Sequence, residues 1–216
     1  MNVEKRKLLM FDLDGTLIDS VGGIVQSVNV TRIQYGFAPL SENVVVSFTG
    51  DGIAKLTERS FADVGLPESL DIVKQKMMDN YAADPLYKTG LYDGVKVTLE
   101  KLSSCGWLLA VISNKPEVVG EKILEGLDIM PLLCENIGGG RFPLKPAPDA
   151  INYLLEKYAV AREDAMMVGD NHTDINSGKN AKVKTCFCKF GFGTLDETVP
   201  DFEIDSFAEL LSVLEK

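Results

Sequence analysis

The chain of 216 residues is poor in the side chains that build nitrogen- and sulfur-ligated metal sites. It has one histidine, His172, and four cysteines, Cys105, Cys134, Cys186 and Cys188. Their spacings match no zinc motif. The thiols read as free and buried in a reducing compartment. Cys186 and Cys188 alternate, which puts both on one side of a strand. The single histidine reads as structural or solvated. Also missing is any apolar run approaching the ~18 residues that cross a bilayer. The start, Met1 to Lys7, is charged, but the apolar run after it meets Asp12 and Asp14 too soon for a secretory leader. A cytoplasmic protein is expected. Positive charge is scarce, with 22 basic against 32 acidic residues and a net charge of -10. That argues against nucleic acid or an anionic membrane as the main partner. An anionic ligand would have to be met locally, by a divalent metal and one or two lysines.

What is present fits a parallel α/β protein. Leu8-Leu9-Met10-Phe11 is a short apolar run ending at Asp12, as expected of a buried parallel strand. Leu108 to Ile112 ends at Ser113-Asn114, and Ala165 to Gly169 ends at Asp170. Lys184 to Lys189 and Ile137 to Gly139 are expected as further strands. Helical patterns lie between, over Gly94 to Ser104, Glu117 to Leu127 and Pro148 to Tyr158. Such alternation predicts right-handed crossovers, with ligands bound beyond the carboxyl ends of the strands. Val21 to Tyr87 breaks the alternation. It reads as several amphipathic helices, interrupted near Gly36–Pro39, Gly50–Gly52 and Gly65–Pro67.

Four clusters at strand ends carry chemistry. Asp12 and Asp14 stand two residues apart on the first strand, before Gly15. One carboxylate can attack phosphorus while its neighbour protonates a leaving oxygen and then activates water. Ser113 and the backbone at a helix start suit a phosphate oxygen. Lys145 is flanked by Pro143 and Pro146, which restricts where its ammonium points. Asp170 and Asp174 follow Gly169, and Mg²⁺ favours such oxygen ligands. Each cluster alone has a plainer reading: an Asp-rich turn, a helix cap, a rigid loop with a solvated lysine, an N-cap. Together they converge on one sheet edge. Arg141 reads as a surface residue.

In this order, Asp12-Leu13-Asp14-Gly15-Thr16, Ser113, Lys145 and Gly169-Asp170 with Asp174 resemble the four motifs of the haloacid dehalogenase superfamily, in its phosphatase branch. The resemblance runs from Phe11 to Asp174 and on through the last strand. It implies a Rossmann-like parallel sheet with helices on both faces, over residues 1–16 and 88–216, and an inserted small helical cap over 17–87. It implies Asp12 as nucleophile and Mg²⁺ ligand, and Asp14 as general acid and base with its backbone carbonyl on the metal. Asp170 would bind Mg²⁺ and Asp174 would support it. Lys145 would steady the nucleophile and the phosphoryl group, which Ser113 and Asn114 would hold. Thr16 would support the first motif at the substrate site.

Leu17-Ile18-Asp19-Ser20, Thr49 to Leu56 and Gly138-Gly139-Gly140 are similar to the phosphoglycolate phosphatase-like subgroup. Cap residues from Gly50 to Lys55 would then face the substrate, with Gly50 and Lys55 touching it. Three positions depart from the pattern: Gly22-Gly23, which predicts a looser hinge into the cap, Lys182 where a helix-ending glycine is common, and Gly140 where Asp is frequent. The implied activity is Mg²⁺-dependent hydrolysis of a small phosphorylated metabolite, phosphoglycolate-like or a sugar phosphate, through a phospho-aspartate, by a monomer or homodimer. Asp14 favours a phosphatase over a dehalogenase, which needs no acid there. A β-phosphoglucomutase-like phosphomutase, a pyrophosphatase or a nucleotidase would share these motifs. A non-enzymatic binding module would have lost a motif, and none is lost.

Overall fold

The computed structural model describes residues 6–215; the charged start at residues 1–5 and Lys216 lie outside the described residues. Leu8–Phe11 forms strand β1, with every residue buried. A two-residue strand, β2 (Ile18–Asp19), leads into four helices: α1 (Val21–Gln34), α2 (Glu42–Val46), α3 (Ile53–Ser60) and α4 (Leu70–Ala83). The chain returns through β3 (Gly90–Leu91) and then alternates. There follow α5 (Val95–Ser104), β4 (Leu108–Pro116), α6 (Glu117–Gly126), β5 (Glu135–Gly139) and α7 (Asp149–Tyr158). The last elements are β6 (Ala165–Gly169), α8 (His172–Ala181), β7 (Lys184–Cys188), β8 (Phe202–Ile204) and α9 (Leu210–Leu214).

Six strands form one sheet in the order β5-β4-β1-β6-β7-β8, and every neighbouring pair is parallel. Alternation along β1 feeds two cores. Leu9 and Phe11 pack with Leu99 and Ile123 of α5 and α6 on one face. Leu8 and Met10 pack with Ile151 and Leu154 of α7 on the other. The chain builds one side of β1 with β4 and β5, then crosses to the other with β6. The end of β1 therefore lies at the topological switch point, where ligands of open α/β sheets bind.

The expected strands and helices all appear. β4 runs beyond Ile112 to Pro116 after a register shift against β5. β8 was not foreseen, because Phe202-Glu203-Ile204 is too short to show a pattern. The expected breaks in the helical stretch coincide with its interhelical loops. Helix α1 packs on α2 and α4, and α3 packs on α4. Arg32 is buried among them. It forms a bidentate pair with Asp63 at 2.8 Å and donates to the carbonyls of Ala38 (2.7 Å) and Ser60.

β2 and β3 pair antiparallel, Ile18 with Leu91 and Asp19 with Gly90, so both passages into the helical layer are hydrogen-bonded together. Gly22 and Gly23 do not loosen this junction. A Cβ on Gly22 would lie 2.5 Å from Lys88 Cβ, and one on Gly23 would lie 3.1 Å from the Tyr81 ring. These glycines permit close packing. Only Cys186 and Cys188 are buried; Cys105 is exposed and Cys134 half-buried, and all four are free. Lys182 closes α8 in the left-handed region at φ 59°, where glycine is usual.

Candidate active site

Asp12 follows β1 directly and its backbone N–H donates to Val168 of β6 (2.9 Å), so its position is fixed by the sheet. Asp170 follows β6 and Asp174 lies in the first turn of α8. Carboxylate oxygens of Asp12, Asp170 and Asp174 lie within 4.8 Å of one another, and all three residues are buried. One ammonium answers them: Lys145 Nζ stands 2.8 Å from Asp12 and 2.7 Å from Asp174. Its hydrogen bond goes to the Ile112 carbonyl (2.6 Å). Asp12 Oδ1 and Asp174 Oδ1 are buried and meet this ammonium off the hydrogen-bond angle.

Negative charge is thus in excess. Burial, then the charge of Asp174, raises the Asp12 pKa to about 7 against the pull of Lys145. Burial and the charges of Asp174 and Asp12 push Asp170 well above the usual carboxylate range. Lys145 is raised too, because Asp12 and Asp174 outweigh its burial. A hard divalent cation with oxygen ligands fits this donor set.

Backbone without side chains closes around Asp170. A Cβ on Gly15, which sits at φ 83°, would lie 2.0 Å from Asp170 Oδ2, and one on Gly191 would lie 2.4 Å from Asp170 Cβ. Gly193 N–H donates to Asp170 Oδ2 (2.7 Å) and the Thr16 hydroxyl to Oδ1 (3.3 Å). Thr16 is therefore a buried support of Asp170 and does not line the cavity. Asp174 is spoken for twice: Oδ2 accepts the Asn171 N–H (2.9 Å) in a capping box, and Oδ1 faces Lys145.

Asp14 looks elsewhere. Its Oδ1 accepts from Ser20 (2.5 Å) and from Lys115 (2.8 Å), and its Oδ2 from Lys115 (3.1 Å). Two carboxylates two residues apart thus have separate partners. Ser113 is buried and lines the cavity. Asn114 is fully engaged as a bracket. Its Nδ2 donates to the carbonyls of Gly50 and Lys145, both at 3.0 Å, and its Oδ1 accepts the Lys145 N–H (2.8 Å). Its side chain positions Lys145 and is not available to the phosphoryl group. Gly50, at φ 102°, lines the cavity, and a Cβ there would lie 2.7 Å from Asn171 Nδ2. Lys55 does not face the cavity: it is exposed and paired with Glu58 one turn on, at 2.7 Å. His172 sits in the first turn of α8, outside the lining. Arg141 lies away from the cavity, paired with Glu135 at 2.8 Å.

Four contributors were not singled out from the sequence: Lys115, Tyr81, Asn171 and the Phe192-Gly193 turn. Lys115 had a signal, since it follows Ser113-Asn114 at a strand end. The Gly191 and Gly193 pair follows β7, next to β6, and could have been placed by topology. Tyr81 had none, because it looks like one more apolar position of α4. The cavity encloses about 80 Å³. The part of its lining that comes from α1, α3 and α4 includes the apolar side chains Ile24, Ile53, Leu56 and Met78.

The model of the haloacid dehalogenase-like hydrolase family matches residues 9–188. A phosphoglycolate phosphatase of Vibrio parahaemolyticus is 34% identical over 99% of this chain and 98% of its own. One of Aquifex aeolicus is 32% identical over 97% of both. The crystal structure of a predicted phosphoglycolate phosphatase from Haemophilus somnus superposes with a TM-score of 0.91 at 30% identity, over 99% of this chain and 100% of the other. The chain belongs to the haloacid dehalogenase-like hydrolase family. Within that family it is a phosphatase enzyme, with the parallel α/β fold of its relatives. Among the described residues, no helix is long and apolar enough to cross a membrane.

Proposed function

We propose that the protein hydrolyses a small phosphate monoester of the phosphoglycolate kind, with Mg²⁺, through a phospho-aspartate on Asp12. The observation that carries this reading is the division of the Asp12–Asp14 pair. Asp12 lies in the acidic cluster with Lys145, while Asp14 is held apart by Lys115 and Ser20.

Asp12 attacks phosphorus and forms a P–O bond as the ester P–O bond breaks. Asp14 delivers its proton to the departing alkoxide. It then takes a proton from water, which attacks the same phosphorus and releases inorganic phosphate from Asp12. Asp12 reacts as the anion, which Lys145 favours against burial. Ser113 and the backbone amides at the start of α6 suit the phosphoryl oxygens. Asp12, Asp170 and the Asp14 carbonyl would hold Mg²⁺, which would neutralise charge on the nucleophile and the phosphoryl group. Asp174 orients Lys145 and supports that site.

Residues 17–87 serve as the cap in this proposal. The loop before α3 is braced by Arg59, which pairs with Asp51 (2.6 Å) and donates to the Phe48 carbonyl (3.0 Å). A cavity of about 80 Å³ favours a substrate of few carbons. The test is phosphate release from phosphoglycolate, sugar phosphates, nucleotides and pyrophosphate. Turnover should vanish with chelator and fall at least ~10³-fold in Asp12→Asn. Wild type that releases phosphate from none of them, or an active Asp12→Asn, defeats the reading.

A further inference from the structure

The reaction described above uses one cation of the cavity, Lys115, only to hold Asp14. Lys115 lies within the register shift of β4 with its side chain 4% exposed, and it lines the cavity with its ammonium against Asp14. Among the described residues, Lys115 and Lys145 are the only basic side chains that line it. An ammonium has three donors. The Lys145 ammonium is already taken up by ion pairs with Asp12 and Asp174 and a hydrogen bond to the Ile112 carbonyl, which leaves it no place for a second anionic group on a substrate. The basic side chains of α3 point away, Lys55 to Glu58 and Arg59 to Asp51.

We propose that Lys115 is the specificity residue of the site, receiving a carboxylate carried next to the ester oxygen of the leaving group. This rests on the hydrolytic reading. Asp14 must reach the ester oxygen to protonate it, and Lys115 touches Asp14. An anionic group one or two bonds from that oxygen therefore comes within reach of the ammonium. An anion on a longer arm meets Ile24, Ile53, Leu56 and Met78 instead. The site thus selects short phosphorylated 2-hydroxy acids. It disfavours the bisphosphates that a phosphomutase must hold.

Geometry leaves room for this exchange. Asp14 Oδ1 is held by both Ser20 and Lys115, whereas Oδ2 has the longer, 3.1 Å contact with Lys115. That second contact is the one a substrate carboxylate replaces. Tyr81 positions the ammonium from the other side: its hydroxyl accepts a 2.7 Å hydrogen bond, and its ring centroid stands 4.1 Å from Nζ. Because Tyr81 belongs to α4, the subsite is complete only with that helix over the sheet.

The test uses two esters that differ in the carboxylate, phosphoglycolate and 2-hydroxyethyl phosphate, with the full chain in Mg²⁺. Wild type should favour phosphoglycolate by roughly 10- to 100-fold in kcat/KM, the range of one charge-assisted hydrogen bond. Lys115→Met should bring that ratio close to one, and Tyr81→Phe should reduce it several-fold. Both rates will fall in Lys115→Met through Asp14, so the ratio is the readout. An unchanged ratio would mean that Lys115 acts only through Asp14, and it overturns the proposal. Should Lys115→Met not fold, calorimetry on wild type decides. The unhydrolysable 3-phosphonopropionate should bind more tightly than propylphosphonate by a similar factor, and equal affinities overturn the proposal. A wild type that hydrolyses neither ester but keeps this binding preference defeats the phosphatase reading and leaves the carboxylate subsite standing.

Discussion

Crowding three carboxylates around one lysine should make the metal-free protein lose stability as the medium becomes more alkaline. Asp12 carries the effect that can be sized. Its ordinary pKa of 3.8 is raised to about 7 in the fold, chiefly by burial and then by Asp174. A carboxyl with a raised folded pKa holds its proton more tightly in the native state. Its contribution is fully present below the unfolded pKa and is lost as pH rises through the folded one. Between pH 5 and 8 the loss is on the order of 3 kcal/mol. For a chain of this length that corresponds to roughly 6–12 °C in Tm. Thermal melts in chelator at pH 5, 6, 7 and 8 should therefore move downward across the series. Asp12→Asn removes the titrating group and should flatten the series by at least half. Saturating Mg²⁺ favours the ionised cluster and should raise Tm more at pH 8 than at pH 5. A chelated wild type whose Tm is level or rises from pH 5 to 8 would refute the reasoning. An Asp12→Asn series as steep as wild type would do the same.

Other sites give sharper single-residue outcomes. Gly191→Ala puts a Cβ 2.4 Å from both Asp170 Cβ and the Gly15 carbonyl; displacing Asp170 should cost about 10²-fold in kcat with the circular dichroism spectrum unchanged. Lys55→Ala should leave kcat/KM within about twofold of wild type, since the side chain faces solvent. Arg32→Met leaves the Ala38 and Ser60 carbonyls without their donor and should lower stability by about 3 kcal/mol in urea unfolding, while a loss under ~1 kcal/mol would contradict the bracing role. Lys182→Gly relieves a left-handed lysine at φ 59° and should raise the urea midpoint, by about 1 kcal/mol in stability.

The sheet was legible because buried parallel strands leave unbroken apolar runs, and Leu8–Phe11 and Ala165–Gly169 are bounded by aspartates on the exit side. The acidic cluster and Lys145 were legible for the same reason: each follows a strand, and the topology brings strand ends together. What could not be read depends on side-chain direction within helices and loops. Lys55 lies within the stretch expected to face substrate, yet one turn of α3 carries it outward to Glu58. Asn114 has the composition of a phosphate ligand, but the strand extension turns its amide toward Gly50 and Lys145. Tyr81 lies between Met77 and Ala83 as part of an apolar stripe. Only the packing of α4 across the sheet ends shows that its hydroxyl meets Lys115.

The ladder between β2 and β3 has a consequence for how the molecule can change over time. Asp19 and Gly90 face each other across it, with about 70 residues between them. To the sheet, that whole stretch is one long hairpin loop whose ends are paired to each other. Closure entropy grows only as the logarithm of loop length, so lengthening the insert by ten residues would cost roughly 0.1 kcal/mol. Its contents can therefore be rewritten, extended or exchanged for another insert with little penalty to the sheet. If residues 17–87 act as the proposed cap, a change of substrate is a loop replacement, while Asp12, Asp170 and Lys145 stay where the strands put them.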